Sequence, residues 1–372
     1  MKITMFDAGN GDCILIQSPT TNILVDGGTA DSFNNWYDEI KDIGILDALF
    51  ITHIDSDHTN GIIKLLEKNK AVEKPIEIKK IYFNGIEQLF SKEFGFIETS
   101  SESDEIYDSL NASFEEITQR EEIGFNEGTS LSYILKDIEN INLNFIHNKT
   151  FDKAIEIGDF SIEIISPPIF HIEKLKESWM DRITERNIDK KVLTKKHSNA
   201  FETYVDSLNK QLNKTIDVTN EIYSTIEEYA DSEYEQDSSL SNATSFSCLF
   251  KCSEKSFLML GDAHIETIVE WMNNETLSVD AIKVSHHGSK FNINKDFLDL
   301  LDCNKYLIST NGKKHKHPDL ETLSRIAKFS KKDVTNIFIN NKIEHITDEI
   351  LEMFMNYKKG IPIHMGKKEI NL

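Results

Sequence analysis

The stretch Ile51–Gly61, ITHIDSDHTNG, sets His53, Asp55, Asp57 and His58 within six positions, with Thr52 just before them. An apolar run, LDALFI, leads in and another, IIKLL, leads out, so the four side chains fall where a strand ends and a helix begins. A helix cap at this place needs one side-chain oxygen, from Asp57 or Thr59. Four such groups exceed that need. Neutral imidazole and carboxylate are common protein ligands of zinc, manganese and iron, and a short loop can aim all four at one or two ions. A metal site needs partners elsewhere, and two other strand ends offer them. In SFLMLGDAH, Asp262 follows an apolar run and a glycine; in VDAIKVSHHGSK, His286 and His287 close another apolar strand. A carboxylate bridging two ions and a last imidazole would complete a dinuclear site. Upstream, FDAGNGDCILI and NILVDGG place Asp7, Asp12 and Asp26 at strand ends, with glycines that let backbone approach closely. Asp26 suits the task of orienting a metal-bound imidazole by accepting its remaining N–H.

The elements that must carry these groups are legible as alternating strands and helices. KITMF, CILIQ, NILVD, DALFITH and KKIYF are short apolar runs separated by Gly, Asp and Asn, which is strand-and-turn chemistry. Between the third and fourth, FNNWYDEIKDIG has the apolar spacing of a helix, with Gly44 as its stop. Strands resume at INLNFIH and FSIEIISPP, and again at TSFSCLFKC, SFLMLGD, VDAIKVSHHGS, KYLIST and NIFIN. The expected class is a layered α/β fold. Residues 1–169 form its first half, with acidic decoration at about 88–130. Residues 170–240 read as an acidic helical insertion, and 241–372 as the second half with a C-terminal extension. The acidic end of the insertion, EEYADSEYEQDSS, reads as a solvated face or mobile loop.

The chain has 372 residues, 39% of them hydrophobic, and carries 63 acidic against 41 basic side chains for a formal net charge of -22. So acidic a chain has no broad basic surface for nucleic acid or anionic lipid. A polyanionic substrate would have to be met by metal and a local cationic patch, such as Lys313, Lys314 and Lys316 in NGKKHKHP. Cys13, Cys248, Cys252 and Cys303 form no C-x-x-C pair, and reduced buried thiols are expected. Cys248 and Cys252, four apart in a strand, are expected on one side. The N-terminus reads as strand and loop, no apolar run approaches the ~18 residues of a membrane span, and a cytoplasmic location is expected.

The ordered set FDAGNGD, ILVDGG, THIDSDHTNG, LMLGDAH, IKVSHHGS and YLISTNGKKHKHP resembles the metallo-β-lactamase fold, and within it the soluble domain of the competence DNA-uptake protein ComEC. The resemblance covers roughly residues 1–90, 130–170 and 240–345. It implies an αββα sandwich with metals at a strand-end edge between two sheets. It also implies His53 and Asp55 on a first metal, Asp57 and His58 on a second, Asp262 as the bridge and His286 as the last imidazole, with His287 the less favoured of the pair. His317 stands where similar chains carry His-Pro near the site, as a substrate contact or proton donor, though entry into a helix explains it equally. Asp57 and His317 are thus the catalytic candidates. Two departures matter: Asp55 stands where most members have histidine, and no Gly-His-Thr context supplies a further imidazole. Instead NATS, Asn242 to Ser245, matches an Asn-x-x-Ser pattern. A carboxylate-rich first site favours manganese over zinc.

Metal-activated water needs no serine or cysteine nucleophile, and neither a G-x-S-x-G nor a Walker loop occurs. The leading expectation is a metal-dependent phosphodiesterase or nuclease-like enzyme using one or two Mn or Zn ions. Amide or ester hydrolysis, with a peptide substrate or a protein partner docked on the 170–240 segment, is the alternative, and a partner-binding component with a degenerate site is a third.

Overall fold

The computed structural model describes residues 1–91, 101–118, 130–186, 193–215, 224–358 and 360–372. Parts of the acidic stretch at about 88–130 and of the 170–240 segment lie outside them. Five strands of the first third, β1 (Lys2–Met5), β2 (Ile14–Gln17), β3 (Asn22–Val25), β4 (Ala48–Phe50) and β5 (Ile81–Tyr82), form one sheet. The second sheet contains β6 (Ile155–Ile157), β7 (Phe160–Ser166), β8 (Ser247–Cys252), β9 (Lys255–Met259), β10 (Ala281–Lys283), β11 (Lys305–Ile308), β12 (Asn336–Ile339) and β13 (Ile363–Met365), side by side in chain order. The last strand, β14 (Glu369–Asn371), returns to pair antiparallel with β1 at the edge of the first sheet.

Alternation along each strand sorts the side chains into layers. On β2 and β3, Ile14, Ile16, Ile23 and Val25 face the second sheet, while Leu15 and Leu24 face away. On β8, Cys248, Phe250 and Cys252 point into the same inner core and Leu249 points out. The two cysteines share a side as their spacing requires, and all four thiols are free and buried. The outer face of the first sheet is covered by α1 (Tyr37–Ile43), α2 (Ser56–Ala71), α3 (Ser101–Thr118), α4 (Ile169–Glu185) and α5 (Lys195–Thr215); that of the second by α6 (Ile265–Met272), α7 (Lys295–Leu300), α8 (Leu320–Phe329) and α9 (Asp348–Asn356). The result is the expected αββα sandwich.

The 170–240 segment contributes helices and, among the described residues, no strand. Ile172, Leu175, Trp179 and Ile183 recur at helical spacing on α4 and pack in one core with Phe201 and Tyr204 of α5 and Leu15, Leu24 and Leu49 of the first sheet. These helices are therefore built into the outer layer. The acidic end corrects the expectation of a solvated or mobile loop at one position: Asp237 is buried, at 9% exposure. No helix among the described residues is long and apolar enough to cross a membrane.

The parallel strands β3–β4–β5 and β9–β10–β11–β12 run in register. Loops leaving the carboxyl ends of such strands form the crevice where α/β folds place their chemistry.

Candidate metal centre

Four loops meet at these strand ends. The chain leaves β4 through Thr52 and His53 and enters α2, whose first turn holds Asp57 and His58. That turn is pressed against the loop after β3: the Gly27 N–H donates to His58 O at 2.9 Å, and the Gly61 N–H to Gly28 O at 3.0 Å. A Cβ on Gly61 would come within 1.8 Å of Gly27 O. Gly11 lies as close to Asp57, where a Cβ would meet its carbonyl oxygen at 1.7 Å. Larger residues at either position would push α2 away from the sheet. From the second sheet, Asp262 follows β9, its N–H donating to Ser245 Oγ at 3.0 Å. After β10 comes the pair His286 and His287, both with left-handed backbone (φ 46° and 54°).

Each of three imidazoles is held by its Nδ1. Asp26 lies 2.8 Å from Nδ1 of His58 and also accepts the Thr52 N–H and hydroxyl, both at 2.7 Å. Nδ1 of His53 lies 3.0 Å from Thr52 Oγ1, and Nδ1 of His287 lies 3.0 Å from Ser309 O and 3.4 Å from Asp12. The opposite nitrogens converge. Nε2 of His58 and of His287 lie 3.4 and 3.3 Å from the same oxygen of Asp262, Oδ2. Nε2 of His287 is 3.8 Å from Asp57, and Nε2 of His53 is 3.2 Å from Asp55. All three Nε2 atoms are buried and make no hydrogen bond among the described residues. The ligand atoms of His53, His58 and Asp262 lie within 4.8 Å of one another, as do those of Asp57, His58 and His287. Buried polar atoms without hydrogen bonds are costly, and a divalent cation is a partner that imidazole nitrogen and carboxylate share. The donor set fits one.

Sequence reading missed Lys283. Its ammonium is fully buried on β10, paired with Asp12, 3.6 Å from Asp262 Oδ1 and donating to Gly261 O at 3.0 Å. A lysine within the apolar run DAIKV beside the histidine pair was the available signal. Burial disfavours its charge, but Asp12 and Asp262 outweigh that and raise its pKa. Burial likewise opposes ionisation of Asp262, yet His287, His58 and Lys283 hold its carboxyl well below the usual range.

The other expected residues are spread between the cluster and its surroundings. His286 is not among these converging atoms: its Nδ1 faces Asn292, Asn242 and Asp237. The left-handed turn delivers its neighbour His287 instead. Asp55 reaches His53 with Oδ2 while its Oδ1 accepts from Ser241. Asp7 accepts from Asn35 and Asn341, and it is Asn10 that reaches Asp57, at 2.5 Å. Burial opposes ionisation of Asp57, but His58, His287 and Lys314 together hold its carboxyl well below the usual range. His317 lies on the rim, its ring 5.6 Å from that of His286 and its Nδ1 3.4 Å from Asp319.

The metal-free protein should show a pH signature. Burial would lower the pKa of His58 and His287, but Asp262 with Asp26 or Asp12 outweighs it, raising His58 well above its ordinary value and His287 to about 9. A raised imidazole pKa stabilises the fold fully below the unfolded value of ~6.5, and that contribution is lost as pH climbs through the folded one. The thermal midpoint of chelator-treated protein should fall between about pH 6.5 and 9, and zinc should abolish the fall by taking the protons' place. A flat midpoint across that window in metal-free protein would contradict the clustering.

Residues 6–133 match the model of the family described as metallo-beta-lactamase superfamily. Microtubule-associated protein 1A of rat and of human are each 30% identical to this chain over 95 residues, 25% of this chain; the chain spans about 3% of the length of these curated relatives. Among solved structures, the metallo-beta-lactamase fold protein YhfI of Bacillus subtilis is 10% identical with a TM-score of 0.39, covering 100% of this chain and 99% of that one. Human tRNase Z, short form, is 10% identical with a TM-score of 0.37, covering 100% and 99%.

Proposed function

We propose that this chain is a metal-dependent hydrolase of phosphodiesters, akin to the ComEC-like group of the metallo-β-lactamase superfamily. The observation that carries this reading is the convergence of three buried, hydrogen-bond-free Nε2 atoms, those of His53, His58 and His287, on the carboxylates of Asp57 and Asp262. His287 takes the place first expected of His286. Charge supports two ions: Asp12, Asp26, Asp55, Asp57 and Asp262 against Lys283 leave four negative charges, which two dications balance. Bound there, divalent ions supply Lewis acidity toward a phosphoryl oxygen and acidify water near neutral pH.

The chain's own residues do the rest. Asp26 fixes the ring of His58, and Ser309 O, with Asp12 beside it, fixes that of His287, so that Nε2 faces inward. Lys283 engages Asp262 Oδ1 and leaves Oδ2 to the imidazoles. Lys314 brings positive charge toward Asp57 at the open side, where an anionic substrate would enter. His317, backed by Asp319, stands on the same rim to contact the substrate.

Metal-stripped protein reloaded with manganese or zinc should cleave bis(p-nitrophenyl) phosphate and single-stranded DNA and leave casein intact. Casein cleavage without diester cleavage would overturn the reading. Manganese should activate more than zinc, because Asp55 puts a hard oxygen donor beside His53. Asp55→His should then bind zinc more tightly, filling the centre at lower zinc concentration than wild type, and shift the preference toward zinc; equal activation by both metals in both proteins would refute this.

A further inference from the structure

His286 and His287 are adjacent, yet their rings part company. Both residues hold left-handed backbone, which costs an L-residue about 1–2 kcal/mol each. The consequence is ring planes 72° apart with centroids separated by 5.9 Å. One ring enters the metal centre. The other is clamped by Nδ1 alone, at 3.0 Å from Asn292 Oδ1, 3.2 Å from Asn242 Nδ2 and 3.3 Å from Asp237 Oδ2.

The clamp is itself tightly built. Asp237 accepts from Asn242 at 2.8 Å and from Asn292 at 3.0 Å through Oδ2, and from the Ser239 N–H at 2.8 Å through Oδ1. A buried carboxylate is costly unless its oxygens are filled in this way. The segment that carries it is tied down by the Asp237 N–H donating to Phe291 O at 3.2 Å. Both oxygens accept, so an asparagine here would turn its NH2 against one of these donors; the carboxylate also faces the imidazole of His286 at 3.3 Å and that of His264 at 3.8 Å.

The far side of His286 is open. Its side chain is 25% exposed, against 0% for His53 and His58 and 4% for His287. It looks toward His317, whose ring is 5.6 Å away, on the loop that also carries Lys314. Cationic and N–H-bearing groups bordering a metal centre suit the charged oxygens of a phosphoryl group better than an uncharged peptide carbonyl.

We propose that His286 is a substrate-contacting residue: Asn292 and Asp237 accept the Nδ1 proton, the imidazolium's second N–H, at Nε2, donates to a phosphoryl oxygen, and Asp237 is the positioning residue that aims it. The proposal rests on the reading of the centre as a phosphodiesterase and assigns a residue that touches the substrate and not the metal.

The test uses full-length, metal-reloaded wild type, His286→Ala, His286→Gln and Asp237→Asn. Elemental analysis gives ions per chain, calorimetry gives affinity for inorganic phosphate, and turnover of bis(p-nitrophenyl) phosphate separates KM from kcat. Loss of a hydrogen bond to a charged group corresponds to about tenfold to hundredfold. His286→Ala should keep the wild-type metal content, weaken phosphate binding by about that factor and raise KM. His286→Gln should recover part of the phosphate affinity, and Asp237→Asn should show the same pattern more weakly, with a cooperative melt in each. Loss of metal in His286→Ala would make it a ligand and overturn the proposal, as would unchanged phosphate affinity. Phosphate binding is read apart from turnover. A wild type that hydrolyses no diester, yet loses phosphate affinity on His286→Ala, would remove the reading of the reaction and leave this one standing.

Discussion

Asp262→Ala is expected to reduce bound metal to background and diester hydrolysis by about a thousandfold, equivalent to ~4 kcal/mol of transition-state stabilisation. Asp262 Oδ2 faces Nε2 of both His58 and His287, so its removal disturbs both groups of converging atoms at once. The turn that carries it should survive, because it is fixed by backbone: the Asp262 N–H donates to Ser245 Oγ, and the His286 N–H donates to Gly261 O at 3.1 Å. Elemental analysis alongside a thermal melt therefore separates loss of metal from loss of fold. Wild-type metal content in a folded Asp262→Ala protein would refute the assignment of this carboxylate.

Lys283→Met is expected to cost the metal-free protein about 3–5 kcal/mol of folding stability, the usual penalty for leaving a buried charge without its partner. The ammonium is fully buried between Asp12 and Asp262, and methionine of similar length supplies no positive charge. Asp12→Asn with Lys283→Met removes both members of the buried Lys283–Asp12 pair, so the double variant should lose less than the two single variants added together. Denaturant unfolding of all four proteins measures this coupling. A loss below about 1 kcal/mol in Lys283→Met would show that the pair is not a buried ion pair of this kind.

Local spacing makes part of this centre legible in the amino-acid sequence alone. His53, Asp57 and His58 lie within one strand-to-helix turn, so their convergence is settled by a few residues of backbone. Asp262 is marked by the apolar strand and glycine before it. Inner and outer faces of β2, β3 and β8 follow from alternation, and α4 from its period of Ile172, Leu175, Trp179 and Ile183. Long-range choices are not legible in that way. Which of His286 and His287 turns inward depends on two left-handed φ angles that no flanking glycine pattern dictates. Lys283 is understood only once Asp12, from the opposite sheet, is found against it. Asp237 sits in a run of acidic residues whose composition reads as solvated, and its burial follows from Asn242 and Asn292 closing over it. Helical period likewise cannot say that α4 and α5 complete the layer over the first sheet.

The central claim is that His53, His58 and His287, with Asp262, hold divalent metal. Zinc bound per chain, measured by elemental analysis after stripping, reloading and gel filtration, tests it most directly in the pair His287→Ala and His286→Ala. Two ions per chain are predicted for wild type and for His286→Ala, with a clear loss in His287→Ala. A wild type that retains no zinc, or a loss confined to His286→Ala, would contradict it.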